Sequence, residues 1–301
     1  MRVTNNMLTQ NLLKNLQYAN NKMDLIQQQL ATGQRITKPS DDPIKIETAM
    51  RLRGTLSAME QWQENAGQAL AFMDTTEGIL ANMTSMLQRL RELAVQGANG
   101  SNADADLEQI AIEVDQLTEQ LQLLANSQFG SKYIFSGTHI DKAPMPLPYS
   151  DPGFQWEGND KIVQVEVGNN LSLPISVDGK MLFGIDASGK NSSLFQTLSD
   201  LSQALYDHNS VGVDQALGEI DQHIDTVLSV RAGLGAKTNR LEVINNQLDN
   251  SIISLKKNLS KIQDVDMAEA IMEFQSIQNT FRAALSVGSQ IIQPSLVDFI
   301  K

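Results

Sequence analysis

Residues 213–262 read VDQALGEIDQHIDTVLSVRAGLGAKTNRLEVINNQLDNSIISLKKNLSKI, and apolar side chains recur in this stretch every seven positions. The repeat comprises Val213, Ile220, Val227, Leu234, Leu241, Leu248, Leu255 and Ile262. Near both ends of the stretch, a second apolar set follows four residues later, at Leu217, Ile224, Ile252 and Leu259. Spacings of four and three keep residues on one side of an α-helix, so we predict one long helix with an apolar seam. A strict seven-residue repeat favours packing against partner helices as a coiled coil.

Polar residues interrupt the middle of this seam. The second set continues there as Arg231, Thr238 and Asn245, and Gly233 and Gly235 lie between them. Each glycine destabilises a helix by about 1 kcal/mol relative to alanine, which allows a helix boundary or a kink at this point. A polar layer that sets the register of the partner helices explains the same residues. The sequence leaves both alternatives open.

Amphipathic helices are also predicted near both ends of the chain. In residues 4–31, apolar positions are spaced by four and three, and most other positions are uncharged Asn or Gln. A similar stripe begins at Met267, and Pro294 is expected to end its helix. Isolated helices of this kind are marginal in water, so we expect the two to pair and to contact neighbouring subunits. The predicted assembly residues are Leu12, Leu16, Met23, Ile26, Leu30, Ile271, Phe274, Phe281, Leu285 and Ile292.

A loop at residues 32–43, TGQRITKPSDDP, separates the first helix from the second. Gly33 can end the first helix, and Asp41 or Asp42 can cap the next one, with Pro43 at its first position. That second helix is predicted over about residues 44–96. It carries two apolar stripes, which indicates contact with more than one neighbour. A third helix with its apolar positions at 107–124 follows a turn at 97–102, and Asp104 and Asp106 are expected in its first turn.

The pattern changes from helical to β at Phe129. The segment FGSKYIFSGT is typical of a β-hairpin, and short alternating runs follow at residues 163–167 and 171–177. Helical spacing returns over residues 192–208. The predicted fold is therefore mainly α: an elongated coiled-coil-like helical bundle with a small inserted antiparallel β domain. Its turns are expected at Gly158-Asn159, Gly168-Asn169 and Asp178-Gly179.

Five segments describe the predicted domain organisation. Residues 1–35 and 259–301 carry the two terminal helices of one domain. Residues 36–138 and 192–258 form the two halves of a helical bundle domain, and residues 139–191 form the inserted β domain.

The composition excludes several classes of function. The net charge of the 301-residue chain is -12 with a pI near 4.7, which argues against nucleic acid or an anionic membrane as the main partner. No segment approaches the roughly eighteen apolar residues of a membrane-spanning helix, and the first residues lack the apolar core of a cleavable signal peptide. Cysteine is absent, which excludes disulfides and thiolate metal sites.

Catalytic and metal-binding motifs are not found. His139, His208 and His223 are scattered without the spacing of metal ligands. The sequence contains neither a glycine-rich phosphate loop nor a Gly-x-Ser-x-Gly motif. We therefore predict a protein that is not an enzyme and has no cofactor.

Three segments resemble signatures of the bacterial flagellin and hook-associated protein family. They are TGQRITKPSDDPIKIETAMRLR at residues 32–53, RAGLGAKTNRLE at 231–242 and SKIQDVDMAEAIMEF at 260–274. The resemblance covers about residues 1–137 and 192–301. Within the family, MRVTNNMLTQNLLKNL, NSQFGSKYIFSGT and SLVDFIK resemble segments of the hook–filament junction branch, the third hook-associated proteins. Pro43 departs from the small residue typical of flagellins.

The resemblance implies a structural subunit of the bacterial flagellum that adapts the hook side to the flagellin filament. It implies an extracellular location at the hook–filament junction, export in the unfolded state through the flagellar type III apparatus, and a cytosolic export chaperone that binds the C-terminal helix. The expected partners are further copies in a ring or helical layer, the preceding hook-associated junction protein and flagellin. The terminal helices would then form an inner tube.

The signature residues have two explanations. Capping and ion pairs within the chain explain them, and so do subunit contacts in the wall of the tube; these residues are Arg35, Asp41, Asp42, Arg231, Asn239 and Arg240. Exposed ion pairs contribute at most about 1 kcal/mol each, so the apolar stripes rank above them as assembly determinants. Two alternatives to the junction role stay open, a short flagellin that forms the filament and a stand-alone secreted coiled-coil scaffold.

Overall fold

The computed structural model describes residues 5–99 and 103–292, with side chains described over 7–99 and 103–289. The helices in these ranges are α1 (Asn5–Thr32), α2 (Pro43–Ala98), α3 (Asp104–Ala125), α4 (Gly179–Leu182), α5 (Ser193–Tyr206), α6 (Ser210–Gln263) and α7 (Met267–Ile292). Strand β1 (Gln128–Phe129) pairs with β2 (Lys132–Tyr133), and β3 (Gln164–Gly168) pairs with β4 (Leu171–Pro174), both antiparallel. The predicted fold class, mainly α with a small antiparallel β insert, is confirmed.

Two compact units make up the chain. The terminal unit comprises Met1–Ala58 and Ser251–Lys301, and the central unit comprises Met59–Asn250. Helices α2 and α6 contribute residues to both. This division is coarser than the five predicted segments, whose boundaries stay a prediction.

Helix α6 is the long helix expected from the seven-residue repeat. It runs without a break from Ser210 to Gln263, so a helix boundary in the middle of the seam is wrong. The repeat is buried along the central unit, where Ile220, Val227 and Leu241 are at most 1% exposed. Packing of the seam outweighs the low helix propensity of Gly233 and Gly235, because tertiary contacts supply most helical stability.

Both apolar stripes of α2 enter the core of the central unit. Met73, Leu80 and Leu87 on one stripe and Met83 and Leu90 on the other are at most 1% exposed. Contact of α2 with more than one neighbouring element stays a prediction.

The insert contains less β structure than the alternation predicts. Within residues 140–190 the structure has one hairpin, β3–β4, and its turn residues are Asn169 and Asn170, one position later than the predicted Gly168-Asn169 pair, because Gly168 still pairs with Leu171. Asn170 lies in the left-handed region with φ 58°. A turn at Asp178-Gly179 is wrong. The Asp178 carboxylate instead accepts hydrogen bonds from the backbone N–H groups of Lys180 (2.9 Å) and Met181 (3.3 Å), which caps α4.

Aromatic side chains join the insert to helix α5. The ring of Phe183 lies edge-on to Phe135 at 5.6 Å, stacked with Phe195 of α5 at 6.1 Å and tilted against Trp156 at 5.7 Å. Residues of the insert and of α2, α3, α5 and α6 belong to one continuous buried cluster. The insert therefore shares its core with the helices of the central unit.

Candidate assembly surfaces

Helix α1 packs against α7 within the terminal unit. The predicted stripe is the side of α1 that loses exposure: Ile26 is 1% exposed, and Leu12, Leu16, Met23 and Leu30 are half-buried. On α7, Ala270 is buried and Phe274 and Phe281 are half-buried. Much of the apolar surface of these residues is therefore buried by contacts within the chain.

Two contacts fix the antiparallel register of this helix pair. The Lys22 ammonium lies 2.5 Å from the Glu273 carboxylate, and that hydrogen bond raises the pKa of Lys22. Near the other end of the pair, a Cβ placed on Gly288 would lie 2.6 Å from a methyl group of Leu12. The close approach of Leu12 to α7 therefore requires a residue without a side chain at position 288.

The remaining predicted residues of α7 point away from the pair or are not described. Ile271 and Leu285 are 45% and 49% exposed. Ile292 ends α7, and its side chain lies outside the described residues. Of the predicted stripe on α7, Ile271 and Leu285 are the described members with most surface left for a partner.

A second apolar stripe of α1 was missed by the sequence analysis. Met7, Tyr18 and Leu25 are 53%, 69% and 44% exposed. Their spacings of eleven and seven residues bring them to one side of the helix, well away from the side that faces α7. The same periodicity that revealed the buried stripe could have revealed this one.

A short bridge, here called the terminal clasp, joins residues 33–35 to residues 262–265. The Arg35 backbone N–H donates to the Gln263 carbonyl (2.7 Å), and the Val265 N–H donates to the Gly33 carbonyl (3.0 Å). The Arg35 guanidinium donates to the Ile262 carbonyl (3.2 Å) at the end of α6. Gly33 has φ +70°, a conformation that favours glycine, and it ends α1 as expected.

Asp41 and Asp42 both accept hydrogen bonds from backbone N–H groups of their own chain. Asp42 accepts a hydrogen bond from the Lys45 N–H (3.1 Å) at the start of α2, while Asp41 accepts from the N–H groups of Thr37 (3.1 Å) and Lys38 (2.9 Å) in the loop. These backbone donors hold the pKa of each carboxyl below its usual value. Of the two residues proposed as the helix cap, Asp42 takes that position.

Arg231 forms a polar layer between α6 and α2. Its guanidinium donates twice to one carboxylate oxygen of Glu77 (2.6 and 3.0 Å) and once to the Thr84 hydroxyl (3.3 Å). Two helical turns further along α6, the Thr238 hydroxyl lies 3.6 Å from the Met73 sulfur. Asn239 and Arg240 are exposed on α6 and stay candidates for contacts with other subunits.

The described residues contain neither a candidate metal site nor a candidate membrane-spanning helix. Among residues 5–99 and 103–292, no group of three His, Asp or Glu side chains is placed to bind a metal ion. No helix within this described part of the chain is long and apolar enough to cross a membrane. Asp104 and Asp106 lie in the first turn of α3, as predicted.

The central unit is mainly helical, and the paired terminal helices leave apolar side chains exposed. Two family models match most of the chain. The bacterial flagellin N-terminal helical region matches residues 3–139, and the bacterial flagellin C-terminal helical region matches residues 217–300. The chain belongs to the bacterial flagellin family and is a structural protein of the bacterial flagellum.

Individual relatives include both flagellins and hook-associated proteins. A flagellin of Bacillus subtilis is 30% identical over 91% of this chain and 90% of its own length. Flagellar hook-associated protein 3 of Salmonella typhimurium is 25% identical over 94% of this chain and 95% of its own. The solved structure of a putative flagellar hook-associated protein from Vibrio parahaemolyticus is 22% identical, covers 74% of this chain and 100% of that chain, and has a TM-score of 0.67. The resemblance stated from the sequence is confirmed.

Proposed function

We propose that this chain is the hook–filament junction subunit, which adapts the hook side of the flagellum to the flagellin filament. The observation that carries the proposal is the fold shared along the full length of a hook-associated structure. Similarity to hook-associated protein 3 over nearly the whole of both chains supports it further. The proposed location is extracellular, at the boundary between hook and filament.

Assembly would use the apolar surface that the terminal helix pair leaves exposed. Ile271 and Leu285 on α7 and Tyr18 and Leu25 on α1 are each between 44% and 69% exposed. Full burial of such a side chain contributes about 1.5–3 kcal/mol, so covering the exposed part of several of them gives a substantial contact. The half-buried stripe residues would act mainly by holding the pair in register. Arg35, Asp41 and Asp42 would act mainly through the contacts that they make within the chain.

The proposed partners follow from the position of a junction. Copies of the chain would form a ring or helical layer, with the preceding hook-associated protein on one side and flagellin on the other. The chain would pass unfolded through the flagellar type III apparatus. A cytosolic export chaperone would cover α7, where Met272 is 65% exposed and Val287 is 52% exposed.

Addition of the purified chain to isolated hook–basal bodies tests the proposal. Hooks that carry the preceding hook-associated protein are incubated with the chain, washed, and then supplied with flagellin. The junction role predicts one short layer by electron microscopy and filament growth only after that layer has formed. Filaments that grow from flagellin equally well without the chain would contradict it.

A short flagellin is the second candidate function, and the 30% identity to a flagellin of Bacillus subtilis favours it. The same experiment separates the two, because a flagellin would itself grow into long filaments. A stand-alone scaffold has lost its support, since the chain belongs to a family of flagellar proteins.

A further inference from the structure

A cavity of about 240 Å³ lies in the central unit, between α2, the β1–β2 hairpin and strand β3. Its walls are largely apolar. Phe72 of α2 and Phe129 of β1 meet edge-to-face at 5.8 Å on one side. Ile140, Val163 and Val165 line it as well. This site is separate from the terminal helices that the proposed assembly uses.

The cavity stays open because small residues and fixed backbone surround it. Ala69 is 2% exposed and faces the space from α2, where a larger side chain would fill it. Gly137, also in the lining, has φ +66°, and a Cβ there would collide with Asn159. Gly137 therefore cannot be replaced by a residue with a side chain unless the backbone around Asn159 moves.

Polar groups with free bonding capacity lie at the rim. Lys132 lines the cavity and is exposed, and it forms no ion pair with any residue that the structure describes. The Val163 carbonyl points towards the β4 side, where it accepts a hydrogen bond from the Ile175 N–H. Gln164 is the next residue along the chain, the first of β3. Because bonding alternates along an antiparallel strand, the backbone N–H and C=O of Gln164 point to the other edge. Asn65 occupies part of that edge by donating to the Glu166 carbonyl (3.0 Å).

We propose that this cavity binds a small amphipathic acid, with a ring-sized apolar group inside and a carboxylate at Lys132. An apolar cavity of about 150 Å³ holds benzene, so 240 Å³ admits a ring with a short side chain. Apolar walls with few polar groups at the edge are the usual composition of small-molecule sites. The positive charge at the rim selects an anion over a neutral molecule of the same shape.

Binding is tested with 3-phenylpropionate as the probe, using the full chain and NMR of the backbone amides. The expected Kd is on the order of 0.1–1 mM, with shifts concentrated in β3 and the β1–β2 hairpin. The neutral analogue 3-phenylpropanol and the small anion acetate are expected to bind on the order of tenfold more weakly. Acetate lacks the apolar group, and the alcohol lacks the charge.

Variants separate the charge from the cavity. Lys132→Gln is expected to weaken phenylpropionate on the order of tenfold and to leave the alcohol unchanged. The matched control is Lys190→Gln, an exposed lysine that does not line the cavity, and it should change neither. Ala69→Leu should abolish binding by filling the space. Equal effects of the two lysine variants would overturn the proposal.

Protection of an introduced thiol gives an independent measurement. Since the chain has no cysteine, Val163→Cys would carry the sole thiol in the cavity wall. Phenylpropionate should slow its alkylation by N-ethylmaleimide in proportion to occupancy. No protection at about 10 mM acid, or protection that arises instead on assembly of subunits, would overturn a small-molecule site and assign the cavity to packing or to a subunit contact.

Discussion

The Arg231–Glu77 layer yields a prediction that can be worked from its geometry. Arg231 occupies a position in the seam of α6 where the pattern would place an apolar residue. Its two hydrogen bonds to Glu77 and one to Thr84 fix the register of α6 against α2. The perturbations are Glu77→Gln, which keeps the shape of the acceptor but removes its charge, and Arg231→Met, which keeps most of the apolar stem.

The expected coupling energy between Arg231 and Glu77 follows from how exposed the two side chains are. The side chains of Arg231 and Glu77 are 28% and 42% exposed. Fully exposed pairs contribute about 0.2–1 kcal/mol, and breaking a buried pair costs about 3–5 kcal/mol. A half-exposed pair with two charge-assisted bonds should therefore give a coupling energy of about 1–2 kcal/mol. At about 2–4 °C per kcal/mol, Glu77→Gln should lower the Tm of the central unit by several degrees.

The assay is a double-mutant cycle, followed by thermal and denaturant unfolding with circular dichroism. A matched pair is available on the same two helices: Arg91 of α2 lies 2.6 Å from Asp221 of α6, and these side chains are 47% and 48% exposed. We expect the control pair to couple more weakly and to lose its coupling in high salt, where screening acts mainly on exposed charges. A coupling energy for Arg231–Glu77 below about 0.5 kcal/mol, or no larger than that of the control, would refute the reasoning.

Three further predictions concern the terminal unit and the acid stability of the chain. Tyr18→Asp places a charge on the exposed stripe of α1 and should therefore raise the concentration needed for assembly at least about tenfold. The control is the adjacent substitution Gln17→Asp, which should leave that concentration unchanged. Equal assembly of both variants in sedimentation assays would contradict this prediction. Burial lowers the pKa of His223 below its ordinary 6.5, so this group contributes stability that is complete above pH 6.5 and is lost as the pH falls through its folded-state pKa. His223→Gln should flatten that acid dependence of the unfolding temperature, and an unchanged slope would show that other groups cause it. The pair Gln34→Cys and Asp264→Cys should form a disulfide across the terminal clasp, because these residues are partners in an antiparallel bridge; if the oxidised variant does not run as a looped species on a non-reducing gel, the clasp does not form in solution.

Periodicity predicted the helices well, because each long helix buries a continuous stripe. The seam at residues 213–262 became α6, which extends it by three residues at one end and one at the other. Periodicity identifies a buried face but not its partner. Nothing local to Arg231 indicates that its acceptor is Glu77, 154 residues earlier in the chain.

The insert was harder to predict, because its core is held by aromatic contacts over long separations. Phe135, Phe183 and Phe195 meet in space although irregular segments separate them along the chain. Asp-Gly at residues 178–179 suits a hairpin turn, but the Asp178 side chain is equally suited to cap a helix, and the structure uses it as a cap. Local sequence does not distinguish these two uses.

The candidate assembly surface was predicted only in part for a related reason. A stripe of apolar residues on a terminal helix can serve a contact within the chain or one between subunits. Ile26 is buried against its own chain, whereas Leu285 is left exposed, and the sequence treats both alike. The division becomes visible only when α1 and α7 are placed together.

Immunogold electron microscopy of intact flagella tests the junction role most directly. Antibodies raised against the insert, residues 139–191, would locate the chain along the flagellum. The proposed function predicts gold confined to a short zone between hook and filament, with none along the filament. Labelling along the whole filament would contradict the junction role and assign the chain to the filament itself.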